Sequence, residues 1–312
     1  MNDSPISAVE FNQISKRFGA VAANDKVSFQ IPASTVHGVV GENGAGKSTI
    51  MKILYGLYQP DDGQILLAGK KTNIHSPRHA IQLGIGMVHQ HFMLVPTLAI
   101  WQNVILGKEG AWWLDKKGIL QELECLQELF GFGLDLNRRI EELAVGHQQQ
   151  VEILKLLYRK ADILILDEPT AVLVPSEVEA LFKQLGRLRD SNKTIILITH
   201  KLREVFALTE NVTVMRHGKV IGTFPTRSLD EQSLSQKMIG RKVVPLEKVQ
   251  EVKQMTSVLQ VQNLCVKQGK RTVLDKLSFN VQAGEILGIA GVEGNGQKEL
   301  VEVLSNVSPH YE

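Results

Sequence analysis

GENGAGKST at residues 41–49 and ILILDEP at residues 163–169 decide the fold. The first stretch fits the pattern GxxxxGK[ST], follows an apolar run and opens a helical pattern, the setting in which such a loop cradles phosphate. Gly44 and Gly46 let the backbone aim N–H groups at phosphate oxygens, and the helix N-terminus behind them adds positive potential. Lys47 is placed to reach the β- and γ-phosphates, Ser48 to put a hydroxyl on Mg²⁺ and Thr49 to support the α-phosphate. The second stretch ends an apolar strand in two carboxylates. Asp167 suits Mg²⁺ binding through water, and Glu168 suits polarising an attacking water. An acidic pair before a proline is, by itself, a solvated turn; downstream of a phosphate loop it is that loop's partner.

Outward from these stretches, short β-branched runs at 36–40, 85–88, 163–166, 194–198 and 212–215 alternate with helical patterns at 47–57, 118–130, 147–159, 176–189 and 201–208. Several of the runs are apolar on both faces, which suits a buried parallel sheet, and the alternation predicts an α/β domain. The strand-free stretch 117–159 reads as an inserted helical subdomain. His200 ends the run TIILITH and could donate to a γ-phosphate, whereas a strand-terminal His is more often structural. Gln90, just after IGMV, carries an amide that could meet Mg²⁺ or the attacking water; without the other motifs it is a surface residue.

The chain repeats itself. Residues 9–54 align without a gap to 259–304 at an offset of 250, so that Asp25, Lys26, Ser28, Phe29, Gly38, Gly41, Gly44 and Gly46 recur as Asp275, Lys276, Ser278, Phe279, Gly288, Gly291, Gly294 and Gly296. This predicts a tandem duplication: a first domain over 1–240, a charged linker over 241–257 and an incomplete second domain over 258–312. A fragment of that last length is too short for a proper core of its own, so the sequence is expected to be truncated.

Composition narrows the class. The 312 residues carry 35 Lys+Arg against 33 Asp+Glu, a net charge of +2, and are 43% hydrophobic, which argues against a disordered chain and against nucleic acid as a partner. The longest apolar stretches, 163–166 and 195–198, fall far short of the roughly 18 residues of a membrane span. The start MNDSPISAVEF has no leader pattern. Cys125 and Cys265 lie in unrelated contexts and read as reduced thiols of a cytosolic chain.

The ordered set GENGAGKST, MVHQ (87–90), LAVGHQQQ (143–150), ILILDEPT (163–170) and ITH (198–200) resembles the nucleotide-binding subunits of ATP-binding cassette (ABC) transporters across the whole first copy. The resemblance implies an α/β P-loop cassette with a mostly parallel core sheet, an antiparallel β subdomain and a helical subdomain near 97–160. It implies that Gly41, Asn43, Gly44, Ala45, Gly46, Lys47, Ser48 and Thr49 bind ATP–Mg, that Asp167 is the Walker B aspartate holding Mg²⁺ through water, and that Glu168 is the general base. Gln90 becomes the Q-loop residue, also toward Mg²⁺, and His200 the switch histidine. Phe18 matches the aromatic that stacks on adenine, with a core Phe as the alternative. Tandem cassettes with a degenerate second phosphate loop resemble importers of simple sugars and nucleosides, and GMVHQHFMLVP (86–96) with VEILKLLYRKADILILDEPTAVL (151–173) look most like the nucleoside branch. Implied partners are transmembrane permease subunits, an extracytoplasmic substrate-binding protein and a second cassette, at the cytoplasmic face of the membrane. Residues 91–106 are expected either to form the permease groove or to be ordinary core.

Two departures accompany the resemblance. The usual signature Leu-Ser-Gly-Gly-Gln stands here as Leu143, Ala144, Val145, Gly146 and His147, so Ala144 lacks the hydroxyl expected on the γ-phosphate while Gly146 keeps its N–H. In the second copy Gln297 and Lys298 replace the phosphate-binding Lys and the Mg²⁺ hydroxyl. In a paired cassette these defects would share one composite site, leaving one hydrolytic and one non-hydrolytic site; Val174 replaces the usual D-loop aspartate. A truncated cassette that binds ATP without driving transport and a soluble, translation-associated ABC ATPase are the alternatives.

Overall fold

The computed structural model describes residues 7–90, 92–108, 115–241, 256–268, 271–291 and 294–305. Its contacts divide the chain into two units, 1–243 and 244–312.

The first unit opens with a long hairpin, β1 (Ser7–Phe18) and β2 (Val21–Pro32), followed by the central strand β3 (Val36–Val40) and helix α1 (Lys47–Leu54). Strands β4 (Asp62–Leu67) and β5 (Lys70–Thr72) extend the hairpin into an antiparallel sheet of order β2-β1-β4-β5. After α2 (Pro77–Gln82) comes β6 (Ile85–Val88), then three helices without strands, α3 (Ile100–Ile105), α4 (Lys116–Phe130) and α5 (Val145–Tyr158). The chain returns through β7 (Ile163–Asp167), α6 (Pro175–Asp190), β8 (Thr194–Thr199), α7 (Leu202–Leu208), β9 (Asn211–Arg216), β10 (Lys219–Pro225) and α8 (Glu231–Ile239). The main sheet has the order β10-β9-β3-β8-β7-β6, parallel except at the β9–β10 hairpin. The five sequence-expected strands are all present in it.

Why those strands are apolar throughout is visible in how they divide their side chains. Ile163, Ile165, Ile196 and Ile198 pack with Ile50, Met51, Ile53 and Leu54 of α1 and with Phe11, Ile14 and Ile31 of the antiparallel sheet. Leu164, Leu166, Ile195 and Leu197 point the other way, against Leu123, Phe130, Ile153, Leu154 and Leu185 of α4, α5 and α6. A strand buried on both faces needs no polar alternation. Each fully buried aliphatic side chain contributes about 1.5–3 kcal/mol over its exposed state.

Local chemistry sets the helix ends. The Asp115 carboxylate accepts from Gly118 N at 3.0 Å to start α4, which stops where Gly131 turns left-handed at φ 72°. α8 begins with the reciprocal Asp230–Ser233 pair at 2.6 and 3.1 Å and ends at left-handed Gly240, the sequence-expected end of the first domain. Most of the expected linker, 242–255, lies outside the described residues. Among the described residues no helix is long and apolar enough to cross a membrane.

The second unit pairs β11 (Ser257–Gln268) with β12 (Arg271–Gln282) and adds α9 (Gln297–Leu304). Its pairs Val261↔Phe279, Leu264↔Leu277 and Val266↔Leu274 stand 250 positions above Phe11↔Phe29, Ile14↔Val27 and Lys16↔Asn24 of the first hairpin. Residues 286–290, which align with β3, form no strand; Ile286 is 97% exposed. Val266, Leu274 and Leu300 make a small core.

Candidate nucleotide site

The loop between β3 and α1 is held from both sides. A Cβ on Gly41 would come within 2.2 Å of the Met215 carbonyl on β9, and one on Gly46, at φ 96°, within 2.3 Å of the Ala23 carbonyl on β2. Only glycine allows that approach. Buried Asn24 donates from Nδ2 to Gly46 O at 3.2 Å, so the hairpin of one sheet clamps the loop of the other. The Lys47 ammonium bridges the loop, donating to Gly41 O at 2.8 Å and Glu42 O at 2.9 Å. Burial pushes the Lys47 pKa below the ordinary lysine value, against the pull of Glu168 and Asp167.

Asp167 ends β7 with its carboxylate buried and Oδ1 3.4 Å from the Ser48 hydroxyl. Burial raises its pKa above the usual carboxylate value, and the Ser48 hydrogen bond opposes the rise. Glu168 sits in the left-handed region at φ 49°, its N–H bonded to Ile198 O at 2.9 Å. That backbone kink turns the side chain out of the strand, where Oε1 meets His200 Nδ1 at 2.9 Å.

A cleft of about 700 Å³ gathers Asn43, Gly44, Ala45, Gly46, Lys47, Ser48, Thr49, Gln90, Asp167 and Glu168 on one wall system. Ten of the fifteen sequence-expected site residues therefore meet in one place, of a size that suits a nucleotide, and Gly41 adjoins them at the start of the same loop. The donors near Ser48 are a hydroxyl, a carboxylate and the Gln90 amide; hard oxygens of this kind suit Mg²⁺.

Four expected residues lie elsewhere. His200 lines a neighbouring hollow with Glu42, Asn43 and Met238 and reaches the cleft through Glu168. Phe18 is 44% exposed, edge-on to Tyr58 at 5.2 Å, and is not a lining residue of the cleft. The core alternative for Phe18 is thereby corrected: among the described residues no apolar cluster encloses this ring. Ala144, exposed, precedes α5, and Gly146 is packed against Glu177; neither lines the cleft, and Gly146 lines a separate hollow with Glu177 and Gln184. The segment after Gln90 splits between its two expected readings: Met93 and Val95 are exposed, while Ile100, Trp101, Val104 and Ile105 are core; His91 lies outside the described residues.

Sequence reading missed the wall made by Val21, Ala22, Ala23 and His217. His217 and Gly218, at φ 49° and 76°, form the β9–β10 turn, and Asp25 N donates to Gly218 O at 2.8 Å. The His-Gly turn between two strands was the available signal, but nothing local says that the hairpin packs on residues 22–25.

Residues 24–171 match the ABC transporter family. The chain is 43% identical to a nucleoside import ATP-binding protein of Lactococcus lactis, over 97% of this chain and 60% of the relative. It is 45% identical to a guanosine import ATP-binding protein of Bacillus subtilis, over 96% and 59%, and 43% identical to a glucose import ATP-binding protein of Haloferax volcanii, over 96% and 60%. The chain thus spans about 60% of the length of these curated relatives. Among solved structures, a nucleotide-free ATP-binding cassette from an ABC transporter superposes with a TM-score of 0.68 at 22% identity, covering 75% of this chain and 97% of that one. The structure of cbiO1 from Clostridium perfringens, part of the ABC transporter complex cbiONQ, gives 0.65 at 25% identity over 75% and 94%. The first unit has the P-loop ABC cassette fold, as the motif order implied.

Proposed function

We propose that this chain, built around an ABC cassette, is the ATP-binding and hydrolysing subunit of an importer for nucleosides or simple sugars. One observation carries the reading: the Lys47 loop and the Asp167–Glu168 strand end share a single cleft. ATP would lay its phosphates along the N–H groups of residues 43–49, exchanging the carbonyl partners of Lys47 for phosphate oxygens. Bound Mg²⁺, held by Ser48 and through water by Asp167 with Gln90 nearby, would neutralise charge on the β- and γ-oxygens. Glu168 would orient the attacking water, and His200 would fix Glu168 through the 2.9 Å hydrogen bond.

Substrate class is supported by the names of the relatives, which handle nucleosides, guanosine and glucose. Permease subunits, a substrate-binding protein and a place at the cytoplasmic membrane face belong to the same proposal, supported by exposed Met93 and Val95 beside the Q-loop. The separation of Ala144 and Gly146 from the Lys47 cleft supports a composite site completed by a second cassette. The repeated hairpin register supports reading 258–312 as the start of one, with Gln297 and Lys298 in its degenerate loop.

The test is a pair of measurements on Glu168→Gln. ATP–Mg binding should stay within about threefold of the parent while hydrolysis falls by about a hundredfold or more, the usual loss for a general base. Loss of binding, or unchanged turnover of a parent that hydrolyses ATP, contradicts the assignment.

A further inference from the structure

Behind the Glu168–His200 pair lies a polar cluster that the reading above leaves unused. Thr170, two residues after Glu168, is buried, and its hydroxyl donates to Oε1 of Glu204 on α7. Glu204 itself is 3% exposed. Lys201, next to His200, donates from Nζ to Thr170 O at 3.0 Å and Thr170 Oγ1 at 2.9 Å, and stands 3.7 Å from Glu204 Oε1. The Lys201 N–H is fixed on Thr199 Oγ1 at 3.0 Å. The loop after β7 and the loop after β8 are therefore joined on both sides of the reacting pair: by Glu168 N to Ile198 O before it, and by Thr170, Lys201 and Glu204 after it.

Stability does not account for this cluster. A buried carboxylate loses hydration that a lysine at 3.7 Å and one hydroxyl restore only in part, and an apolar replacement is commonly neutral or better for folding. Glu204 Oε2 has no hydrogen-bond partner among the described residues. What the cluster does achieve is geometric. Thr170 and Lys201 are each within two residues of one member of the pair, so a shift of either loop must break contacts to Glu204.

We propose that Glu204, with Thr170 and Lys201, is a positioning latch that holds His200 Nδ1 on the Glu168 carboxylate. Glu204 is not among the residues lining the cleft; it acts through the two loops. Its consequence for turnover rests on the ATPase reading above, whereas the latch itself rests on the geometry alone.

The experiment uses the 312-residue chain with ¹⁵N-labelled histidine, the His200 ring signals being assigned with His200→Asn. Glu168→Ala supplies the reference spectrum of a His200 ring without its partner. In Glu204→Ala the His200 ring signals should move to that reference, the ATP–Mg dissociation constant should stay within about threefold, and kcat should fall about tenfold or more at unchanged KM, as expected for a displaced but intact catalytic pair. Thr170→Val removes the shared hydroxyl with little change of volume and should give the same displacement; it carries the test if Glu204→Ala does not fold. His200 signals that stay at their parental positions in the folded variant overturn the latch. A parent chain that binds but does not hydrolyse ATP overturns the ATPase reading instead, and the ring spectrum still decides the latch.

Discussion

Residues 36–54 and 286–304 are two versions of one segment in very different company. In the first, VHGVV is a strand with every residue buried, followed by a glycine loop and an eight-residue helix. In the second, ILGIA is no strand and Ile286 and Ile289 are exposed, yet the helix spans the same eight aligned positions, and Gly46 and Gly296 precede the two helices at φ 96° and 93°. Turn and helix are thus local properties of the glycines and the apolar spacing. The strand is not: β3 pairs with β8 and β9, which lie more than 150 residues further along the chain, and among the described residues nothing pairs with 286–290. A phosphate loop needs both, because the strand fixes where the loop's N–H groups point.

The comparison can be broken most forcefully by hydrogen exchange. Amides of 36–40 should exchange about a thousandfold or more slower than those of 286–290, since only the first set opens with the global unfolding of its unit. Equal protection would mean that the second segment has found strand partners and that the contrast drawn above is wrong.

A second test uses the aligned strand position where a titratable residue stands against an apolar one: His37 against Leu287. His37 is fully buried, with Nε2 2.8 Å from Thr213 Oγ1, and burial pushes its pKa down from 6.5 to about 4. The ring is neutral in the folded chain, while the unfolded chain takes up a proton near 6.5. Between these values the unfolded state holds more protons, so stability is full above about pH 6.5 and falls on acidification, by up to about 3 kcal/mol at pH 4. His37→Leu should flatten this part of the urea-midpoint against pH curve. An unchanged slope would show that the buried ring is not what makes the unit acid-sensitive.

The glycines give the finest discrimination. An alanine at Gly46 meets the Ala23 backbone carbonyl at 2.3 Å, whereas at Gly296 the nearest atom is the movable Leu274 Cδ2 at 2.6 Å. Gly46→Ala should cost about 2–3 kcal/mol in urea denaturation, and Gly296→Ala about 1 kcal/mol, mostly from the left-handed φ, read as faster exchange in α9. Equal costs would mean that the clamp by the first hairpin contributes nothing.

How much of this was legible in the sequence follows the same division between local and distant. The phosphate loop, the strand ending in Asp167–Glu168, Gln90 and the helical stretch could be read because each is a contiguous pattern with its own physical reason. The five core strands could be read because burial on both faces leaves uninterrupted β-branched runs. His217 and the wall at Val21, Ala22 and Ala23 could not, because their role depends on one hairpin packing against another about 200 residues away. Phe18 was singled out by the resemblance rather than by any local pattern, and its ring stands exposed, edge-on to Tyr58, outside the lining of the cleft. The Thr170–Lys201–Glu204 contacts escaped notice because threonine, lysine and glutamate on loops and short helices carry no pattern until two strand ends are set side by side.

The central claim is that the chain carries one ATP–Mg site, on the 41–49 loop. Titration calorimetry with a non-hydrolysable ATP analogue and Mg²⁺ tests it most directly. The account predicts one site per chain, with affinity lowered about a hundredfold or more in Lys47→Ala, the loss expected when a phosphate gives up a buried cation. A second site of similar affinity, or full binding that survives Lys47→Ala, would contradict it.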